Sequence, residues 1–295
     1  MLEGWMLFHE PRSHTRLRAP LALQFTPRAT AQLQPLIEAI ADELCESMAA
    51  RAAPVDLVET FTHPLPAAVI AELFGVPVEL RDWLASWSEK FGVVVFGATG
   101  RADYEDVARA AGEEFADRIG DLMDRYRRAP VDNLLSLLLA EENRPEGLST
   151  TEIIGACSLL LFAGHDTTSS LLGSATVALL EHPEQAEAMR SVATDVDLAI
   201  EEMLRYESPA KAMMRTVVDS HQRDGHHFEA GQSVFLAIVA ANRDPRVFES
   251  PDRIDLARHP IPHLTFGFGH HFCPIISASV PRWPGWRPGW RCRCS

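Results

Sequence analysis

The sequence predicts a mainly α-helical protein with a small β region, and three observations carry that reading. Apolar residues recur at helical spacing through most of the first two-thirds of the 295 residues. A single helical pattern then runs for about 30 residues, roughly 45 Å at ~1.5 Å per residue. Finally, β-rich runs with turn signals are confined to the stretch after Met214.

In chain order, Leu33, Leu36, Ile37, Ile40, Ala41, Leu44 and Met48 mark a first helix. The same period covers Pro64 to Phe74, Asp82 to Phe91 and Tyr104 to Tyr126, with a shorter candidate at Leu134 to Leu139. Pro54, Pro77 and Pro130 separate these segments. Ser149-Thr-Thr-Glu152 is a capping box, in which the serine hydroxyl accepts from a first-turn N–H and the glutamate reaches back. The long helix that starts there meets no stop before His182-Pro183, because the residue before proline is pushed out of the helical region. A helix from Glu184 and another over Val196 to Tyr206 follow. Met214 to Asp219, Arg223-Asp224-Gly225 and His226 to Glu229 read as strand, turn and strand, since Asp-Gly favours a hairpin. Ser233 to Val239 is a further β-rich run, and Asn242 to His263, rich in Pro, Asp and Arg, is expected to be a long ordered loop.

Composition excludes several classes. A hydrophobic fraction of 46% with 23% charged residues suits a soluble globular protein. The formal charge of −14 argues against nucleic acid or an anionic membrane as partner, since both would repel it. Arg12, Arg16, Arg18 and Arg28 form a basic stretch, read first as a solvated face. Five cysteines, odd in number and mostly far apart, are not a disulfide framework; Cys45 and Cys157 sit in apolar helical patterns as small hydrophobes. The longest apolar run, Ile153 to Gly164, is too short to span a bilayer, and the start lacks a signal-peptide layout. A cytoplasmic location is expected.

Four segments carry chemistry. Phe266-Gly-Phe-Gly-His-His-Phe-Cys273 places Gly267 and Gly269 where a backbone can turn tightly and approach a flat ligand. Its cysteine can be a thiolate if N–H groups stabilise the charge. Ala163-Gly-His-Asp-Thr-Thr168 puts poor helix formers in the middle of the long helix. There a threonine hydroxyl can bond back to a carbonyl and, with Gly164, distort the helix, while Asp166 beside Thr167 would form a proton relay. Glu202 and Arg205, three apart on one helix face, can pair. His14 and Arg18, four apart, share a face ahead of Phe25-Thr-Pro-Arg28.

The phrase Phe-Gly-x-Gly-x-His-x-Cys, followed back through these motifs in order, resembles the cytochrome P-450 family from about Trp5 to Cys273. The resemblance implies the P-450 fold, haem b (iron protoporphyrin IX) bound through Cys273 and the surrounding Phe266, Gly267 and Gly269, and insertion of one atom of dioxygen into a small apolar organic substrate. It implies proton delivery to dioxygen by Asp166 and Thr167, with Gly164 leaving space for it. Glu202 and Arg205 would be structural and joined by Arg253 from Phe248-Glu-Ser-Pro-Asp-Arg253. His14, Arg18, Arg215 and His271 would meet the haem propionates. The basic stretch would then face an electron donor, a ferredoxin or a flavoprotein.

The resemblance departs at both ends. Residues 1–273 are expected to form one incomplete domain without the family's N-terminal segment. Residues 274–295 are expected to be an atypical, frameshifted and disordered tail; Pro274 brings no N–H, and Ile275 stands where the family has a second glycine, ahead of its helix. An alternative is therefore a truncated, non-catalytic member with impaired haem binding. A third reading, zinc held by His263, His270, His271 and Cys273, leaves the other motifs unexplained.

Overall fold

Helix caps and prolines set most of the boundaries seen in the computed structural model, which describes residues 2–22, 24–96, 103–191 and 193–273. These residues divide into two units, one running to Gly173 and the other spanning Ser174–Cys273.

The first unit opens with two short 3-10 turns and helix α1, Pro11–Ala22, which buries His14, Leu17 and Leu21 along one stripe. Helix α2, Pro27–Ala49, starts six residues before the first apolar repeat, because Thr26 caps it by accepting from the Ala29 N–H at 3.3 Å. A π-helical turn over Val58–Thr62 leads into α3, Pro64–Phe74. Then come α4, Arg81–Phe96, and α5, Tyr104–Arg128. Helix α6, Leu134–Glu141, is capped by Asn133, whose side chain accepts from the Ser136 N–H at 2.8 Å. Its core gathers Trp5, Phe74, Trp87, Phe91, Phe115, Met123, Leu135, Leu138, Ile153 and Leu161. Trp87 packs on Phe91 and Phe115 with ring centroids 4.8 and 4.2 Å away, and its indole N–H donates to the Ala111 carbonyl at 3.0 Å. Each such buried side chain contributes about 1.5–3 kcal/mol relative to exposure. Cys45 and Cys157 are buried here as expected, and burial pushes the Cys157 thiol pKa up.

Helix α7, Thr150–Glu181, has the anticipated length and supplies residues to both units. The capping box is present in both directions: the Ser149 N–H donates to Glu152 at 2.8 Å, and the Glu152 N–H to the Ser149 hydroxyl at 3.3 Å. The helix stops where Pro183 opens α8, Pro183–Arg190, which is followed by α9, Val196–Tyr206. Among the described residues, no helix is long and apolar enough to cross a membrane.

The β region of the second unit pairs differently from the simplest reading. Strand β1, Met213–Thr216, pairs antiparallel with β4, Ser233–Leu236. The Asp-Gly hairpin instead joins β2, His221–Arg223, to β3, His226–Phe228. Asp224 and Gly225 have φ of 50° and 80°, the positive values that a two-residue hairpin turn demands. The hairpin is thus short and local, and Met213–Thr216 belongs to another ladder. A four-residue helix α10, Ile238–Ala241, precedes the long loop. A small cluster of Ala178, Ala199, Met203, Ile254 and Leu256 forms this unit's apolar core. The expectation for residues 274–295 lies outside the described residues.

Candidate active site

In the second unit, α9 presents Glu202 and Arg205 three residues apart, both fully buried. Arg205 Nε and Nη2 donate to the two Glu202 oxygens at 2.7 and 2.8 Å. The remaining N–H groups go to the carbonyls of Asn242, Pro251 and Arg253 at 2.9, 2.8 and 3.0 Å. All five guanidinium donors are therefore used, which a buried charge requires. The second arginine on Glu202 is Arg258, whose Nε lies 3.1 Å from each carboxylate oxygen. The expectation that Arg253 fills this place is corrected. Arg253 is exposed and contributes only its carbonyl, which accepts from Arg205 and, at 3.2 Å, from Arg258. Spacing in an irregular loop does not settle which of two nearby arginines turns inward.

Past the long loop, the chain turns at Gly267 and Gly269, with φ of 74° and 80°, a conformation few other residues adopt. The turn is closed by the Cys273 N–H donating to the Phe266 carbonyl at 2.9 Å. Phe266 is buried, its ring 5.5 Å from that of His263, whereas Phe268 is 88% exposed. Cys273 is half-buried. His263 is spent elsewhere: Nε2 donates to Glu201 at 2.8 Å and Nδ1 accepts from the Thr265 N–H at 3.3 Å. It is thereby withdrawn from the zinc reading, and no three His, Cys, Asp or Glu groups form a metal cluster among the described residues. A single cysteine on a tight glycine turn, outside any such cluster, suits a group that brings its other metal ligands with it, as a haem does. Arg215 and His271 also belong to this unit. Arg215 is exposed on β1 and donates to the Met214 carbonyl at 2.8 Å, and His271 is half-buried in the 3-10 turn of the loop.

In the first unit, Gly164, Asp166 and Thr167 lie on α7, which remains α-helical throughout rather than breaking at the motif. The Thr167 hydroxyl donates back to the Ala163 carbonyl at 2.6 Å, as its position predicts. Asp166 is half-buried. At Gly164 a Cβ would lie 3.2 Å from Ile70 Cδ1, so this side chain of α3 packs close against α7 at the glycine. His165 is buried beside it, Nε2 3.2 Å from the His63 carbonyl. On α1, His14 is buried and Arg18 half-buried. Arg16, from the basic stretch, is paired within the chain. It bridges both oxygens of Glu152 and donates to the Gly147 carbonyl at 2.9 Å. Hydrogen bonds from Arg16 are the main reason the Glu152 pKa falls to about 2, helped by Ser149.

The family model described as Cytochrome P450 matches residues 101–192 and 195–274. The chain belongs to the cytochrome P450 family. It is 37% identical over 281 residues to Polyketide biosynthesis cytochrome P450 PksS of Bacillus subtilis (strain 168), covering 95% of this chain and 67% of that protein. To Cytochrome P450 107B1 of Saccharopolyspora erythraea it is 39% identical over 278 residues, with 94% and 66% covered. The solved structure of P450BioI in complex with hexadec-9Z-enoic acid ligated Acyl Carrier Protein matches with a TM-score of 0.86 and 32% identity, covering 94% of this chain and 71% of that one. The chain thus spans about two-thirds of the length of the curated relatives it matches.

Membership gives the buried Glu202–Arg205 pair and the Cys273 turn a common context, and it makes three overlooked residues more telling. Arg258 and Asn242 were visible only as polar residues in a Pro- and Arg-rich loop, and Thr265 only as one just past its end. Asn242 and Thr265 are nevertheless buried, and neither carries a charge that sequence reading would flag.

Proposed function

We propose that this chain works as a haem-thiolate monooxygenase, and the closed Phe266–Cys273 turn is the observation that carries the proposal. Its two left-handed glycines and the Cys273 N–H bond to Phe266 support a thiol held in one place. When bound, haem b supplies the redox chemistry that activates dioxygen and puts one of its atoms into a small apolar organic substrate. Cys273 would hold it as the thiolate ligand, with Phe266, Gly267 and Gly269 shaping the ground around it. His14, Arg18, Arg215 and His271 would donate to its two carboxylates.

Asp166 and Thr167 would hold and pass the protons that oxygen activation consumes. The Thr167 hydroxyl donates its hydrogen bond to the Ala163 carbonyl, which leaves its oxygen able to accept one. Electrons would come from a ferredoxin or flavoprotein in the cytoplasm. Neither nucleic acid nor membrane enters this reading, in keeping with a formal charge of −14. A relative named for polyketide biosynthesis and a structural neighbour carrying a fatty acyl carrier support an apolar substrate.

The test is a carbon monoxide difference spectrum of the reduced protein expressed with haem supply. A thiolate-type Soret shift that Cys273→Ser abolishes is the expected result. A protein that takes up no haem, or a shift that survives Cys273→Ser, overturns the assignment.

A further inference from the structure

The cysteine turn is not hung from the chain only by its own glycines. Three consecutive residues just before it, His263, Leu264 and Thr265, are each tied to α9 or to Asn242. Asn242 is fully buried at the C-terminal end of α10. Its Oδ1 accepts from the Leu264 N–H at 2.8 Å, and its Nδ2 donates to the Thr265 hydroxyl at 3.0 Å. That hydroxyl in turn donates to the Leu204 carbonyl at 2.8 Å. Leu204 lies in the last turn of α9, where carbonyls lack intrahelical partners, so Thr265 supplies what the helix cannot. The Asn242 backbone carbonyl accepts from Arg205 at 2.9 Å. His263 adds a parallel strut to Glu201.

Each bond direction is determined by its neighbours. Leu264 N–H can only donate, so the amide oxygen must face it and the amide nitrogen must face Thr265. The hydroxyl, having accepted, is free to give its proton to Leu204. The chain of donors runs without a gap from the last turn of α9 to the residue preceding Phe266, and Phe266 closes onto Cys273.

We infer that Asn242 and Thr265 are positioning residues. They transmit the fixed geometry of the Glu202–Arg205 helix to the Cys273 turn and thereby set where the thiol points. The inference rests on the proposed haem-thiolate role for its consequence, but not for its first readout. Satisfied buried networks specify one arrangement, and losing a single member leaves the others buried and unmatched.

The experiment compares Thr265→Val, which keeps the shape and removes the hydroxyl, with Thr265→Ser, which restores it. In the haem-free chain, amide hydrogen exchange over 264–273 is expected to quicken about tenfold in Thr265→Val, the cost of one broken buried hydrogen bond. Thr265→Ser should stay within about twofold of the parent, as should β2 and β3 in both variants. In haem-loaded protein, Thr265→Val should shift part of the reduced carbon monoxide complex from the thiolate-type to the thiol-type band, and Thr265→Ser should not. Unchanged exchange in Thr265→Val, or equal opening in Thr265→Ser, overturns the inference. Should Thr265→Val not fold, Glu201→Ala releases only the His263 strut at a partly exposed carboxylate and must still quicken the same amides; no change there also overturns it. If exchange responds but no haem is taken up by any variant, the positioning role stands and the haem-thiolate reading falls.

Discussion

The two units are held together by different physics. The first is an apolar core of helices in which Trp87, Phe91, Phe115 and Leu135 are almost wholly shielded from water. The second has a five-residue apolar cluster and leaves Met214, Val218 and Phe235 more than half exposed. Beside scattered buried apolar residues such as Leu204, Ile238 and Phe248, it buries Glu202, Arg205, Asn242 and Thr265 in one connected hydrogen-bond network. The comparison teaches where order comes from when a segment lacks periodicity. A helix can be specified by burying one stripe, but the irregular stretch from Asn242 to Cys273 has no stripe to bury. Directional bonds specify its path. Such a network adds little net stability over a packed apolar core, and its value lies in a unique arrangement.

The comparison can be broken most forcefully at Glu202. Glu202→Ala leaves two guanidinium groups facing a buried void, and about 3–5 kcal/mol of stability should be lost. Hydrogen exchange should rise across α9 and residues 242–273 while α5 and α6 keep their protection. Equal loss in both units would show that the network is not specific to the second.

In the first unit, Leu135→Ala removes a fully buried side chain from the core. It should cost about 2–5 kcal/mol in denaturant melts, and its exchange signature should centre on α5 and α6. The polar network should not register it.

The assignment of Arg258 sharpens the comparison further. Arg258→Ala should cost about 1.5–3 kcal/mol, as expected for a hydrogen bond to a charged group, while Arg253→Ala should stay within about 0.5 kcal/mol. Thermal melts of the two variants side by side decide it, and a larger loss for Arg253→Ala would restore the simpler reading of the loop.

The smallest effect concerns the Arg16–Glu152 bridge, the first unit's counterpart to Glu202 at a partly exposed site. The folded-state pKa of Glu152, about 2, lies below its ordinary 4.5, so protons bind the unfolded chain preferentially. The bridge therefore contributes fully above about pH 4.5, and its contribution fades as pH falls toward 2. Glu152→Gln should flatten the pH dependence of stability in that window and change it little at neutral pH beyond a constant offset. An unaltered slope between those pH values would show that the bridge is too well hydrated to matter.

How much of this was legible beforehand depends on the range of the interaction. Ser149 and Glu152 announce the start of α7, and Pro183 its end, because caps and prolines act within one turn of the chain. Gly267 and Gly269 announce the cysteine turn for the same reason, each needing only its own φ. The Asp-Gly turn was legible too, but not the ladder of Met213–Thr216, whose partner lies beyond the hairpin. His14, Arg18, Asp166 and Thr167 were singled out by their motifs, and of what they do in the structure only the Thr167 bond to Ala163 follows from local geometry alone.

The sequence by itself determined the helical framework, the family and the cysteine turn, since each is written in spacings of a few residues. Tertiary structure alone decided that Arg258 rather than Arg253 meets Glu202, and that Arg16 is occupied by Glu152. It also decided that Gly164 makes room for Ile70, and that Asn242 and Thr265 carry α9 to Cys273. Those choices are made by through-space distance between residues far apart in the chain, where periodicity carries no information and a buried donor accepts whichever partner the packing brings within 3 Å or so.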